Sequence, residues 1–338
     1  MIVDAHAHHY PVPFLDEIEA QGERYPVQIR RDWEGSRVLR FDDRPFFTFE
    51  PDFYDIEVRL GQMDRVGIDL QVLSIAPPMV FWAEPGLGLA LCQIYNEELA
   101  RVVRSHPGRF LALSAVPLQD VGRAIEELRR SVRELGARGV LVGSNIRGQD
   151  LDAPAFEDFF AAAEELEAPV YIHPILPAGR ERMRNYRLDI LVGFPVDTTL
   201  AAARLVYSGL LGRHPRLKVI LSHLGGAVPF LWGRLSTAFE TFEGIERNFL
   251  GDPRDHFRRF YYDSVIYEGP PLAFASGLMG SDRILFGTDA PFFGEENLRI
   301  CLRTVTECEG LTGEDRGKIL SRNAALLFGA PLGEKGTP

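Results

Sequence analysis

The sequence predicts an α/β fold, a TIM-type (β/α)8 barrel with a small β-rich insertion near the N-terminus. Eight short apolar segments are typical of buried parallel strands, and amphipathic segments long enough for helices separate most of them. The chain has 338 residues, of which 46% are hydrophobic, so it can bury the core of one large barrel. Eightfold alternation favours a closed barrel over a doubly wound open sheet.

The eight predicted strands are rich in β-branched and other apolar residues. In chain order they are IVDAHAH from Ile2, DLQVLSIA from Asp69, FLALSAV from Phe110, GVLVGS from Gly139, PVYIH from Pro169, LKVILSH from Leu217, FYYDS from Phe260 and RILFGTD from Arg283.

The predicted helices carry apolar residues at spacings of three and four. They are DIEVRLGQMDRVG, ALCQIYNEELARVVRSH, RAIEELRRSVRELG, APAFEDFFAAAEELE, TTLAAARLVYSGLLGRH, AVPFLWGRLSTAFE and ENLRICLRTVTECE.

Residues 14–51 depart from this alternation, because they show strand-like patterning and turn residues where the first barrel helix is expected. Loops at the carboxyl ends of barrel strands form the active-site face. We therefore predict that residues 1–338 form a single barrel domain in which 14–51 is a β-rich insertion over the mouth. A purely structural flap is the alternative.

The composition limits the partners. A net charge of -11 argues against a broad nucleic-acid-binding face and favours a small-molecule substrate. Cys92, Cys301 and Cys308 lack CxxC spacing, which argues against a disulfide framework or a thiolate metal cluster. We expect a cytoplasmic protein without a membrane partner, because no apolar run looks long enough to span a bilayer and no signal peptide is recognisable.

Five residues at predicted strand ends carry the chemistry: His6 and His8 on strand one, His173 on strand five, His223 on strand six and Asp289 on strand eight. Side chains two apart on a strand share a face, and barrel strands end at a common rim. Imidazoles with a carboxylate suit a divalent ion such as zinc with an open position. We predict His6, His8, His173 and Asp289 as its ligands.

His223 is then free to act as a general acid or base, since imidazole titrates near neutral pH. Asp289 can share this role in proton transfer. The alternative makes His223 a fifth ligand.

The HxH start, YIHP, SHLGG and GTDAPF together resemble the amidohydrolase superfamily, specifically its metal-dependent decarboxylase branch. The resemblance extends over nearly the whole chain, including LVGFPVDTTLAA and GGAVPFLWGRL. It implies a zinc-dependent barrel that removes carbon dioxide without oxidation, with the metal on His6, His8, His173 and Asp289 and proton transfer by His223. GVLVGSNI on strand four lacks a bridging lysine or glutamate, so a single ion is expected, zinc or else manganese.

The resemblance also implies that two arginines clamp the substrate carboxylate. One matches Arg234 and comes from a neighbouring subunit, which requires a homodimer or larger homo-oligomer. The position of the other, in the insertion, falls on Phe47, and Phe cannot replace an arginine fork; Arg40 and Arg44 lie nearby. Trp82 and Phe292 are candidate pocket walls, and replacement cations could come from Arg180, Arg182, Arg184 and Arg187.

The sequence alone is compatible with three functions. The first is non-oxidative decarboxylation of an aromatic or muconate-like carboxylic acid, in which the ion stabilises negative charge and His223 or Asp289 protonates the carbon. The second is hydrolysis of a lactone, amide or similar carbonyl compound at the same site. The third is a structural metal site in a protein that only binds a small molecule.

Overall fold

The computed structural model describes residues 1–330 with gaps at positions 43, 244 and 247. Its architecture is the predicted barrel, and each barrel strand falls within a predicted segment. Strands one to eight are Val3–His8, Leu70–Ser74, Phe110–Ala112, Val140–Gly143, Val170–His173, Val219–Leu221, Tyr261–Asp263 and Ile284–Leu285.

The eight strands run parallel and form a ring. Strands one to three pair in order, and strands four to eight form a second run of neighbours. Isolated bridges join the two runs at Ser114 with Val140 and at Ala7 with Ala290. The Asp289 amide also donates to the His6 carbonyl at 2.8 Å. The carboxyl ends of all eight strands therefore face one rim.

Burial explains the continuous apolar strand segments. Strands one, two, four and five are buried along their whole length. Both faces of a barrel strand are covered, one by the barrel interior and one by helices, so alternation of polar and apolar residues is not required. The three cysteines are free and buried.

The helices follow the predicted amphipathic segments. Asp55 caps the helix Ile56–Val66 by accepting from the Glu57 amide, and Gly67 ends it at a φ of +86°. The α-helices are Val12–Ala20, Pro51–Tyr54, Ile56–Val66, Pro85–Ser105, Val121–Arg133, Glu157–Glu165, Phe194–Tyr207, Leu210–Arg213, Val228–Thr241, Pro253–Phe257, Gly269–Met279, Gly294–Thr306, Gly313–Gly317 and Asn323–Phe328. Shorter 3-10 and π turns are Pro154–Phe156, Arg180–Arg182, Asp189–Gly193, His223–Gly225, Ser281–Arg283 and Lys318–Arg322.

The predicted insertion begins with a helix, so the expectation of β structure from residue 14 is wrong for residues 14–20. Phe14, Leu15 and Ile18 have helical spacing and are buried. The β-rich part is an antiparallel three-stranded sheet of Val27–Arg31, Arg37–Phe41 and Arg44–Thr48.

One helical stretch, Asp189–Tyr207, reaches the length and hydropathy of a membrane span, contrary to the expectation that no segment does. Its mean hydropathy is 1.3, and 44% of that window is buried inside the fold. Within it, Asp197 accepts hydrogen bonds from the Ser144 hydroxyl and the Asn145 side chain. A buried core helix of a soluble protein passes the same test, so the stretch is weak evidence for a membrane span.

Candidate active site

Four side chains form a compact donor cluster at the carboxyl rim of the barrel. His6, His8, His173 and Asp289 each offer one ligand atom, and these atoms all lie within 4.8 Å of one another. His223 lies beside them, with its Nε2 3.4 Å from Asp289 Oδ2. The structure thus brings together all five residues predicted from the strand ends.

The barrel backbone explains this convergence. Period-two alternation places His6 and His8 on one face of strand one. Asp289 lies just beyond strand eight at a φ of +59°, and His223 lies just beyond strand six at a φ of +53°. Residues other than glycine rarely adopt this left-handed backbone conformation, which costs about 1–3 kcal/mol for each residue. Where such residues occur, they are often found at functional sites.

Two glycines make the turn that carries His223. A Cβ at Gly225 would lie 2.6 Å from the Tyr262 ring, and one at Gly226 would lie 2.0 Å from the Pro195 carbonyl oxygen. Since both glycines also have positive φ, the SHLGG sequence fits this tight turn. The turn holds His223 at the edge of the donor cluster.

The Nε2 atoms of the three clustered histidines are the available ligand atoms. His6 Nε2 lies 3.0 Å from His8 Nε2, and His8 Nε2 lies 3.0 Å from Asp289 Oδ1. His173 Nε2 is buried and has no hydrogen-bond partner among the described residues. An unpartnered buried nitrogen is costly unless another group satisfies it.

The opposite ring nitrogen, Nδ1, has an acceptor in each of these histidines. His6 Nδ1 lies 2.6 Å from Asp263 Oδ2, and His173 Nδ1 lies 2.9 Å from the Pro174 carbonyl. The Ser74 hydroxyl donates to the Ala7 carbonyl, so its oxygen accepts from His8 Nδ1 at 3.1 Å. Each Nδ1 therefore carries the proton, which leaves a lone pair on each Nε2.

The electrostatics of the cluster favour a cation. Burial lowers the pKa of His8 to about 4 and holds the pKa of His173 well below its usual value, so both rings are neutral near pH 7. Burial alone would raise the pKa of Asp289, but the close imidazoles of His6, His223 and His8 hold it well below its usual value. Three nitrogen donors and a carboxylate are a set that fits a divalent ion.

A cavity of about 380 Å³ lies near His173 of the donor cluster, and its lining residues are outside the cluster itself. Ile175, which lines it, follows His173 by two residues, and the ring of the lining residue Phe194 lies 6.0 Å from the His173 ring. The remaining walls come from the insertion sheet, from Pro77 and Pro78 after strand two, and from the loop after strand five. The cavity is large enough for a small ring-sized ligand.

Four arginines line this cavity: Arg44 from the insertion, and Arg180, Arg184 and Arg187 after strand five. Arg180 pairs with Asp42 at 2.5 Å, and Arg187 donates to the Phe46 carbonyl at 2.9 Å. Within the described part of the chain, Arg44 and Arg184 make no ion pair, so their charges face the cavity without a partner. Arg182, predicted with this run, is not a lining residue.

The predicted aromatic walls lie at different distances from the cluster. The Phe292 ring is 5.9 Å from the His8 ring. Phe47 is one ring further away, 5.3 Å from Phe292, in an aromatic group that includes Tyr10. Trp82 donates to the Met79 carbonyl and packs against Tyr25, and it is not part of the cavity lining.

Arg234 lies exposed on the helix Val228–Thr241. It makes no hydrogen bond or ion pair with the residues that the structure describes. A role in catalysis within its own subunit therefore has no contact to support it.

Sequence reasoning missed Asp263 and the cavity position of Arg44. Asp263 ends strand seven in FYYDS, and a carboxylate at a strand end is the same signal that identifies Asp289. The sequence singles out Arg44 only as a neighbour of Phe47. Its place at the cavity depends on the tertiary packing of the antiparallel insertion sheet, which no local pattern encodes.

The fold and the donor cluster define a barrel enzyme with a histidine and carboxylate centre of the kind that holds a divalent metal. The chain belongs to the amidohydrolase family, whose sequence profile, described as Amidohydrolase, matches residues 3–330. The resemblance predicted from the motifs is therefore confirmed.

Similar proteins include two that are named decarboxylases and one solved structure with a closely similar fold. The 2-amino-3-carboxymuconate-6-semialdehyde decarboxylase of Dictyostelium discoideum is 35% identical over 331 residues, covering 97% of this chain and 91% of its own. The apo crystal structure of Metarhizium anisopliae IDCase has a TM-score of 0.87 at 25% identity, covering 98% and 97% of the two chains. Dihydroxybenzoic acid decarboxylase of Polaromonas sp. JS666, solved with manganese and 2-nitroresorcinol, has a TM-score of 0.78 at 27% identity, covering 97% and 96%.

Proposed function

We propose that this protein is a metal-dependent, non-oxidative decarboxylase of an aromatic or muconate-like carboxylic acid. The observation that carries the proposal is the convergence of three histidine Nε2 atoms and Asp289 beside His223, next to an arginine-lined cavity. Relatives that cover most of the chain are named for the decarboxylation of such acids.

His6, His8, His173 and Asp289 would hold the ion. Zinc fits this donor set, and manganese is the second choice, since the Polaromonas neighbour was solved with it. When bound, the ion supplies positive charge that stabilises negative charge developing on the substrate.

His223 delivers the proton. Its side chain is 15% exposed, so it can exchange protons with solvent, and Asp289 Oδ2 at 3.4 Å orients its Nε2. The reaction breaks the bond between the substrate carbon and its carboxylate, releases carbon dioxide, and forms a carbon–hydrogen bond with the proton held at His223 Nε2. Proton transfer by a positioned imidazole is worth about 10²–10⁴-fold in rate.

Arg44 and Arg184 bind the carboxylate of the incoming substrate, because arginine forms charge-assisted, two-pronged hydrogen bonds with carboxylates. Phe194 and Phe46 supply apolar walls for a flat substrate. An insertion without an arginine at the cavity would leave the substrate carboxylate without a partner and would favour hydrolysis of an uncharged carbonyl compound. Arg44 from the insertion lines the cavity, which favours a carboxylic acid substrate and decarboxylation.

A homodimer is the assembly we propose. An exposed apolar row runs along the helical stretch Asp189–Tyr207 and consists of Val192, Val196 and Leu200, which are four residues apart. Phe230, four residues before Arg234, is also exposed on the helix Val228–Thr241, which contacts the helix Phe194–Tyr207. A contiguous exposed apolar surface is typical of an interface. Burying it against a second copy could bring Arg234 to the neighbouring cavity.

We also propose that residues 1–338 form one domain, that the insertion within 14–51 covers the cavity, and that the protein works in the cytoplasm. The contacts of Arg180 and Arg187 with the insertion sheet support the second of these proposals.

The decisive experiment measures carbon dioxide release without oxygen. Purified protein is given 2-amino-3-carboxymuconate-6-semialdehyde or 2,6-dihydroxybenzoate, before and after chelation of its metal. We expect one carbon dioxide for each substrate consumed, loss of activity with the chelator, and recovery on addition of Zn²⁺ or Mn²⁺. A product that gains water without gas release would support the hydrolase instead. Metal binding without turnover of either acid or of a lactone panel would contradict both enzymatic functions.

A further inference from the structure

The carboxylate of Asp263, at the end of strand seven, is fully buried beneath the donor cluster. It accepts four hydrogen bonds, from His6 Nδ1 at 2.6 Å, the Tyr171 hydroxyl at 2.8 Å, the Val265 amide at 3.0 Å and the Leu224 amide at 3.2 Å. Because four donors surround it, the group is held as an acceptor-only carboxylate, which requires the His6 proton to be on Nδ1.

Asp263 differs from the groups that support the other two clustered histidines. His8 is held by the Ser74 hydroxyl and His173 by the Pro174 carbonyl, both of which are neutral. A charged acceptor makes a shorter and stronger hydrogen bond. It also makes the opposite nitrogen, Nε2, a more basic ligand.

The same carboxylate also holds the turn that carries His223. Its Oδ1 accepts from the amide of Leu224, the residue after His223, and both residues have a φ of +53°. Strained backbone persists only where surrounding contacts hold it. One buried side chain therefore contacts both the ring of His6 and the backbone next to His223.

We propose that Asp263 is a positioning residue that fixes the proton of His6 on Nδ1 and fixes the turn bearing His223. It links the donor cluster to the proton-transferring residue without touching substrate. The inference rests on the proposed function, because it assigns the His6 Nε2 lone pair to a metal ion.

The test compares Asp263→Asn with Ser74→Ala, which removes the neutral partner of His8. Both variants are stripped of metal and titrated with Zn²⁺ and with Mn²⁺. The side-chain amide introduced by Asp263→Asn must present a donor either to His6 or to a backbone amide, so we expect the metal dissociation constant to rise about 10- to 100-fold. We expect a smaller rise for Ser74→Ala. At saturating metal, we also expect kcat of Asp263→Asn to fall with KM little changed, because the substrate cavity is intact.

A folded Asp263→Asn variant that binds both metals as tightly as the wild type would overturn the proposal. Thermal unfolding of the metal-free variants checks that they fold. If Asp263→Asn does not fold, ¹⁵N spectra of histidine-labelled wild-type protein supply the answer. We expect His6 to keep its proton on Nδ1 in the metal-free and Zn²⁺-loaded states, and a proton on Nε2 in the loaded state would contradict the proposal. Wild-type protein that binds neither ion would instead contradict the proposed function.

Discussion

The two sides of the site hold their polar groups in different ways. On the barrel side, His6, His8 and His173 are buried and each Nδ1 has its own acceptor. On the insertion side, Arg44 and Arg184 are exposed and lack ion-pair partners within the described residues. Groups that bond to a metal need fixed geometry, whereas groups that receive a substrate can stay mobile. We therefore expect the barrel side to determine the reaction and the insertion side to determine which substrate binds.

The largest effect is expected from removing a ligand on the barrel side. His173→Ala takes one of four donors, so metal affinity should fall by more than the roughly 100-fold that loss of a supporting contact causes, and turnover should vanish. Metal analysis after gel filtration measures this. His106→Ala is the matched control, since His106 pairs with Glu57 at the surface. Full metal content in His173→Ala would remove His173 from the ligand set.

Replacing His223 should separate catalysis from metal binding. His223→Gln is expected to lower kcat by about 10²–10⁴-fold, the usual contribution of a general acid, while metal content stays near one per subunit. Parallel measurements of kcat and bound metal check this. Metal loss as large as in His173→Ala would make His223 a fifth ligand instead.

The barrel side of the site can be predicted from the sequence more completely than the insertion side. Apolar segments locate every barrel strand, and parallel strands that end at a common rim bring His6, His173 and Asp289 together without knowledge of any loop. The positions of residues on the insertion side depend on tertiary contacts, which leave no periodic pattern in the sequence. The helix containing Phe14 is mistaken for β structure because its helical spacing depends on only a few buried apolar residues, Phe14, Leu15 and Ile18. The position of Arg44 depends on tertiary packing of the insertion sheet.

On the insertion side, Arg184 and Arg182 form a matched pair two residues apart, since only Arg184 lines the cavity. Arg184→Ala should raise KM about 5- to 10-fold, equivalent to about 1–1.4 kcal/mol, which lies within the usual net contribution of one hydrogen bond, with kcat nearly constant. Arg182→Ala should leave KM unchanged. Equal effects in the two variants would point to general surface charge rather than to a substrate contact.

The smallest effect is expected for Arg234, whose exposed side chain acts only if a second subunit places it at a cavity. Exposed ion pairs contribute about 0.2–1 kcal/mol, so Arg234→Ala should raise KM no more than about 5-fold. Light scattering on the same samples should show the oligomeric state of the wild type, and Arg182→Ala again serves as the control. If KM does not change, the carboxylate is bound by arginines of one chain alone, and the insertion side of the site is complete without a partner.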